Sequence, residues 1–454
     1  MTTMLPMTQN ANWPRVVVVG GGFAGLNAAK SLAKAPVRVT VLDRKNHHTF
    51  QPLLYQVALA VLSPAEIASP IRNVLRRARN TEVLLGEVTG FDLNRRLVRT
   101  DGLELPYDYL VVAAGATHAY FAHPEWEQYA PGLKTLEDAT NIRGRVLLAF
   151  ERAEREAFAH RDTPPLNFVV IGAGPTGVEL AGAISDISRH YLERDFRSID
   201  PAKARIILLE GGPRVLPAYP PDLSASAEKQ LREMGVEVRT NALVTNVEPN
   251  QVTVGSEKIP ASVILWGAGV SASPLGRMLG AATDKAGRVL VEPDLSVPSH
   301  PEVFVIGDLA AVRQTEKEPV VIKAEPSISD KDKKAALVPG VAPAAIQMGK
   351  FAGRQIKRTL KGEPREVFRY LDKGSLATIG RSRAVADFGK VHISGYFAWL
   401  SWLFIHLFFL IGFRNRIMVM AEWAWAYVTY NHGARLITEP KEMVAEEHPK
   451  AKAG

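Results

Sequence analysis

Two glycine triplets stand where binding a phosphate would need them. Gly20, Gly22 and Gly25 form G-x-G-x-x-G straight after RVVVVG at 15–20 and open the alanine-rich stretch GLNAAKSLAKA. In such a loop the first glycine allows a tight turn, the second lets backbone approach pyrophosphate, and the third lets helix and strand pack closely. The helix start adds free amides and the positive end of its dipole. Asp43 follows Gly20 by 23 positions, at the end of VRVTVLD, where a carboxylate can accept ribose hydroxyls. Gly172, Gly174 and Gly177 repeat the pattern after LNFVVIG at 166–172, with Glu210 closing ARIILLE at 204–210. A carboxylate there suits the free 2′-hydroxyl of NADH and repels the 2′-phosphate of NADPH, with Arg214 nearby as a counterweight. Two such sites in one chain suit FAD and NADH together, with hydride passing from nicotinamide to flavin.

The elements that must position these loops follow from the apolar pattern. RVVVVG reads as a buried parallel strand and the stretch after it as a helix, so with VRVTVLD at 37–43 they make a βαβ unit. The second loop sits in an equal unit. YDYLVVAAGAT at 107–117 and ASVILWGAGV at 261–270 each offer a late strand returning toward one glycine loop. EVFVIGD at 302–308 ends in Asp308, readable as a ligand-facing carboxylate or as a plain turn acid, since crevices form outside the carboxyl ends of parallel strands. The expected fold is α/β, two Rossmann-like dinucleotide-binding domains with a C-terminal membrane-associated helical segment. Charged, proline-punctuated residues 313–335 read as a surface insertion, and PGVAPAAIQMGKFAGRQIKRTL after it as a proline-gated helix.

Composition narrows the chemistry. The 454 residues hold no cysteine, which excludes disulfides, thiolate metal sites and redox thiols and leaves electron transfer to a bound cofactor. His47 and His48 stand alone beside a loop, and no carboxylate–histidine spacing makes a metal site. Net charge is +8, and no basic patch is interleaved with stacking aromatics, so nucleic acid is not an expected partner. MTTMLPMTQNANWP lacks the charged and apolar regions of a signal peptide, so the catalytic bulk is expected in the cytoplasm.

Residues 395–436, GYFAWLSWLFIHLFFLIGFRNRIMVMAEWAWAYVTYNHGARL, look least like a soluble enzyme. They carry Trp399, Trp402, Trp423 and Trp425, four of the chain's seven tryptophans. Tyr396 to Phe413 is 18 residues without formal charge, at the lower edge of a spanning helix. Aromatics spread throughout the run, rather than gathered at its ends, favour two helices lying in the lipid interface. Arg414 and Arg416 would reach headgroups. A buried hydrophobic helix or a dimer interface is the alternative reading, and a two-fold homodimer would place both anchors on one side.

FQPLLYQVA at 50–58, VVGGGFAGL, VVIGAGPTGVELAG, VFVIGDLA, VAPAAIQMG and LDKGSLATIGRSRAV together resemble the type II NADH:quinone oxidoreductases, single-subunit respiratory dehydrogenases that pump no protons. The resemblance covers roughly residues 14–437. It implies a first part of an FAD-binding domain at 14–145, an NADH-binding domain at 146–285, the rest of the FAD-binding domain at 286–370 and a membrane-anchoring region at 371–454. It also implies that Gly20, Gly22, Gly25, Asp43 and Asp308 hold FAD, with Gln347 beside the flavin, and that Gly172, Gly174, Gly177 and Glu210 hold NADH. Phe23, Ala24, Arg44, Gln51, Ala114, Gly115, Glu179, Gly269, Gly307, Ala345 and Ile346 are further cofactor-binding residues that it implies. Glu179 would lie near nicotinamide and flavin, and Gln347 where quinone arrives, as the two catalytic residues. The family's usual first glutamine in that helix is replaced by Pro343. On their own terms, Glu179 could serve only the helix dipole, Gln347 could be a surface helix former, and Tyr55 and Gln56 could line flavin or fill a domain boundary. The expected activity is hydride transfer from NADH to FAD, then two electrons to ubiquinone or menaquinone, by a peripheral enzyme on the cytoplasmic side of the inner membrane. The alternatives are an FAD-dependent reductase of a soluble redox protein, or a membrane-tethered flavoprotein that binds or signals. Disulfide reductases and sulfide:quinone oxidoreductases need cysteines that this chain lacks.

Overall fold

The computed structural model of the chain describes residues 12–163, 165–314, 319–320, 336–429 and 434–438. Most of the insertion expected at 313–335, and the end of the chain after 438, lie outside the described residues. Along the chain the elements used below are β1 Arg15–Val19, α1 Phe23–Leu32, β2 Arg38–Asp43, α2 Leu54–Ala58, β3 Thr81–Leu85, β4 Tyr109–Val112 and α3 Leu136–Phe158. The second glycine loop is framed by β5 Asn167–Ile171, α4 Pro175–Asp186, β6 Arg205–Leu209, α5 Pro221–Glu233, β7 Val236–Arg239 and β8 Val263–Trp266. The chain closes with β9 Ser296–Val297, β10 His300–Val305, α6 Ala342–Leu360, β11 Ser375–Gly380, β12 Arg383–Asp387, β13 His392–Ser394, α7 Tyr396–Phe409 and α8 Phe413–Thr429.

These elements group into two compact units. The first comprises the described residues of Met1–His48, Ser69–Thr117 and Val270–Lys373, and the second those of Thr49–Ala68, His118–Gly269 and Gly374–Gly454. The boundary read from sequence at 145/146 falls inside α3, a 23-residue helix whose start is fixed by a capping box: Thr135 accepts from Asp138 N–H at 3.1 Å and Asp138 accepts from Thr135 N–H at 2.9 Å.

In the first unit the sheet runs β9-β10-β4-β1-β2-β3, parallel except where β9 meets β10. Val16, Val17, Val18 and Val19 of β1 are all buried, as a strand covered on both faces requires. Each such valine contributes about 1.5 kcal/mol or more by leaving water. In the second unit β7-β6-β5-β8 is wholly parallel. An antiparallel sheet β11-β12-β13 follows, and Ala398 of α7 packs on Ala384 and Ala386 of β12. α4 ends at Asp186 and passes directly into a single π turn, Ile187–Tyr191.

Candidate active site

Both glycine loops have the geometry that a diphosphate needs. Gly20 and Gly172 have φ of +102° and +92°, a left-handed conformation that costs other residues strain, and a Cβ at either would collide with backbone of Ala113 or Ala268. A side chain at Gly25 would overlap the Gly20 carbonyl, and one at Gly177 the Gly172 carbonyl. At the middle glycines, Gly22 and Gly174, nothing lies within 4 Å of a Cβ position. These two are the N-caps of α1 and α4, neither helix has a side-chain cap, and neither has an acid in its first turn. The space and the uncompensated helix ends fit the pyrophosphates of FAD and NADH.

The acids that close β2 and follow β6 brace the loops. Asp43 accepts from Gly21 N–H at 2.5 Å and from Lys45 N–H at 2.7 Å. Glu210 accepts from Ala173 N–H and from Gly212 N–H, both at 2.7 Å. Each carboxylate thus ties its strand end to the loop's second residue and keeps lone pairs for ribose hydroxyls. Beside the first loop, buried His48 donates from Nδ1 to the Gly21 carbonyl at 3.1 Å and meets the Phe23 ring edge-on at 4.8 Å. Burial pushes its pKa down to about 4, so it is neutral.

The second unit encloses a cavity of about 110 Å³, lined by α2, α4, the π turn, β11, α7 and α8. Its apolar wall comes from Trp399, Trp402, Leu403 and Trp423 of the two aromatic helices, and its polar groups are Tyr55, Gln56, Glu179, Asp186, Thr378 and Arg381. Trp423 Nε1–H donates to Gln56 Oε1 at 2.7 Å, and Gln56 Nε2–H donates to the Tyr55 hydroxyl at 2.8 Å. A side chain at Gly182 would overlap the Ile379 carbonyl, so α4 lies directly on β11. Burial holds the Glu179 carboxyl well above the usual carboxylate range. Burial, then the Glu179 charge, raises the Tyr55 phenol well above its ordinary value. Asp186 is pushed up to about 6 by burial, against the Arg381 N–H bond and the positive charges of His190, Arg381 and Arg383. A slot with apolar walls and a few convergent polar, raised-pKa groups is where a flat, apolar carbonyl compound would be held and protonated.

The residues picked from sequence fall in several places. Gly20, Gly22, Phe23, Ala24, Gly25, Asp43, Arg44, Ala114, Gly115, Gly307, Asp308, Ala345, Ile346 and Gln347 lie in the first unit. There a Cβ on Gly307 would come 3.2 Å from Ala24 Cβ and 3.8 Å from Ala345 Cβ, which brings the IGD turn, α1 and α6 together. Gln51, Gly172, Gly174, Gly177, Glu179, Glu210 and Gly269 lie in the second unit. Gln51 Nε2 reaches the Lys134 carbonyl at 3.4 Å. Gln347 does not line the cavity: its amide donates to the Leu371 carbonyl at 2.9 Å and accepts from Leu371 N–H at 3.0 Å, so both ends are held by backbone. Sequence reasoning left open whether Tyr55 and Gln56 line a ligand, and they line this cavity. It passed over Asp186, Thr378 and Arg381. The available signal was the seven-residue spacing of Glu179 and Asp186, which puts two acids on one face of a helix.

The aromatic helices present apolar side chains outward. Phe397, Phe404 and Phe408 of α7 are 71%, 69% and 69% exposed, while Ala398 and Trp402 on the other face are buried. Arg414 is exposed, and the Arg416 guanidinium lies 5.9 Å from the Phe408 ring centre. Among the described residues no helix is long and apolar enough to cross a membrane.

Residues 14–349 match the pyridine nucleotide-disulphide oxidoreductase family model, and 373–429 match the NDH2 C-terminal domain. The chain is 44% identical over 450 residues to the type II NADH:quinone oxidoreductase Ndh of Mycobacterium tuberculosis, covering 96% of this chain and 92% of that one. It is also 44% identical to the NdhA of that organism, over 93% of this chain and 89% of the relative. Among solved structures, NDH2 from Plasmodium falciparum in complex with NADH superposes with a TM-score of 0.81 at 20% identity, over 94% of this chain and all of the other. The sulfide:quinone oxidoreductase of Aquifex aeolicus shares the fold at a TM-score of 0.69. With two braced dinucleotide loops, an aromatic carboxyl-terminal pair and this degree of identity, the chain belongs to the type II NADH:quinone oxidoreductase family.

Proposed function

We propose that this protein is a monotopic membrane flavoenzyme that oxidises NADH and reduces a membrane quinone, ubiquinone or menaquinone, without pumping protons. The observation that carries the reading of the acceptor is the cavity. It runs from α4, the helix that opens on the second glycine loop, to the tryptophans of the two helices whose outer faces are apolar. Bound FAD supplies a two-electron carrier that accepts hydride from NADH and yields electrons to quinone. Gly20, Gly22 and Gly25 seat its pyrophosphate, Asp43 its ribose, and Asp308 with the start of α6 its remaining polar groups. The unit that carries the first loop thereby serves as the FAD-binding domain, and the unit that carries the second loop as the NADH-binding domain. Gly172, Gly174 and Gly177 seat NADH, and Glu210 selects its 2′-hydroxyl. In the cavity, tryptophan rings hold the quinone ring and Glu179 meets its oxygen as a proton donor. Gln347 fixes the flavin side by clamping Leu371. α7 and α8 rest in the interface of the inner membrane on the cytoplasmic side, and a homodimer would set two such surfaces on one plane.

Anaerobic stopped-flow spectroscopy tests this reading. Mixing with NADH should bleach the flavin band, and a short-chain quinone should restore it within turnover time. Bleaching without restoration by quinone would move the acceptor to a soluble redox protein.

A further inference from the structure

Quinone reduction needs two electrons and two protons, and NADH supplies both electrons with one proton as hydride. The remaining proton comes from water, so the reaction needs a path for it into a cavity walled by tryptophan. Glu179 is closed in on its own turn of α4, where burial governs the state of its carboxyl. Two turns further on, at the end of the helix, stands a second acid of the same cavity.

We propose that Asp186 is the proton-relay residue of this site, taking protons at the surface end of the cavity and passing them by way of the Tyr55 and Thr378 hydroxyls to Glu179. This rests on the quinone reading above. Three observations place it. Asp186 closes α4 and opens the π turn, with its carboxyl buried in the cavity wall one turn from His190, which is exposed. Asp186 Oδ2 accepts from Arg381 N–H at 2.9 Å, which fixes the carboxyl at the β11–β12 turn. Tyr55 feels the charges of both Glu179 and Asp186, and its hydroxyl pairs with Gln56 and Thr378. A phenol that stays neutral can accept a proton on one side and release one on the other without ionising. The cavity volume leaves room for bridging water between the groups.

The groups facing Asp186 are Glu179 on its own helix, Arg189 and His190 in the π turn, Arg381 and Arg383 from the β11–β12 turn, and Tyr55 from α2. Arg383 is itself paired with Glu233 at 2.5 Å. Burial outweighs the cations and holds Asp186 at about 6, so near neutrality it exchanges protons in both directions. At each turnover the Asp186 proton enters the hydroxyl chain, Glu179 delivers one to the quinone oxygen, and solvent restores Asp186.

The test uses the full-length, flavin-loaded enzyme with the substitutions Asp186→Asn and Asp186→Glu. NADH oxidation is followed with a short-chain quinone from about pH 5 to about pH 9, in H₂O and D₂O, and with ferricyanide, which takes electrons but no proton. D186N should lower kcat with quinone at least about 10-fold, with ferricyanide turnover kept and the solvent isotope effect enlarged. The wild-type decline in rate above about pH 6 should vanish in D186N and return in D186E. Wild-type rate and pH profile in D186N would overturn the relay, as would equal loss with both acceptors that D186E does not restore. Wild-type enzyme that reduces ferricyanide but no quinone would overturn the quinone reading itself, whatever the variants do.

Discussion

The two glycine loops share backbone, bracing acid and open middle glycine, yet the helices that leave them face different surroundings. α1 is pressed under α6: a side chain at Gly349 or Gly353 would collide with Ala24 or with Ser31. That helix buries small residues, Ala24, Ala28 and Ala29, and carries no acid; its titratable side chain is Lys30 in the last turn. α4 also has one glycine contact, Gly182 on Ile379, but the face beside it carries Glu179 and Asp186 into a cavity. On the proposed reading, the same phosphate motif would be used once to grip a resident group and once to open a helix along which substrate chemistry proceeds. The bracing acids differ to match. Asp43 comes 23 positions after its first glycine and Glu210 comes 38 after, because the second crossover includes α4, the π turn and the loop to β6.

The strongest way to break this comparison is at the glycines. Gly25→Ala forces a carbon onto the Gly20 carbonyl and should cost about 3 kcal/mol or more, visible as low expression and a fall in Tm. Gly22→Ala meets nothing within 4 Å, so the chain should fold normally and emerge with little flavin. Gly174→Ala should retain flavin and lose its fast bleaching by NADH. A loss of flavin from the second-loop variant and not from the first would reverse the assignment of the loops.

Next in size is the response to acid. His48 in the first unit and His406 in the second are both neutral, lowered to about 4 chiefly by burial, and both donate from Nδ1 to a carbonyl, of Gly21 and Trp402. The unfolded chain binds these protons below the ordinary value of 6.5, so the associated stability is full above that pH and is lost as pH falls toward 4. Each contributes roughly 3 kcal/mol across the window. His406→Phe should flatten the acid limb of denaturant unfolding for the second unit, and His48→Phe that of the first. An unchanged limb in both would remove the histidines from the account.

Smaller effects separate ligand from scaffold. Glu210→Gln keeps the side chain's length and one carbonyl acceptor. It should cost about 1 kcal/mol and lower the preference for NADH over NADPH in kcat/KM. An unchanged preference would leave Glu210 as a loop brace only. The triple change F397S/F404S/F408S alters exposed positions, so Tm should move little while sedimentation with lipid vesicles falls. Full retention on vesicles would assign that face to another contact.

The strands and both loops were readable from residue order alone, because parallel strands need continuous apolar runs and the turns need glycine at fixed offsets, and RVVVV and NFVVI occupy the expected places. The TLED capping box at Thr135 was equally local, and reading it would have moved the boundary away from residue 145. The cavity was not legible. Gln56 and Trp423 are 367 residues apart, and nothing in either segment names the other. The π turn that follows Asp186 is also silent in ISRHY, which has no breaker residue. The clamp of Gln347 on Leu371 depends on a loop conformation that sequence spacing does not specify.

The bond from Trp423 to Gln56 joins a chamber wall to a helix whose neighbours lie open to the outside. On the proposed reading, the substrate's room is therefore finished by parts that also serve as its landing gear. Whatever loosens that footing, such as a harsh detergent or a thinner lipid film, reshapes the doorway before it disturbs the nucleotide loops. Preparations of this enzyme should lose affinity for quinone while they still bleach with NADH, and a returned bilayer should restore it.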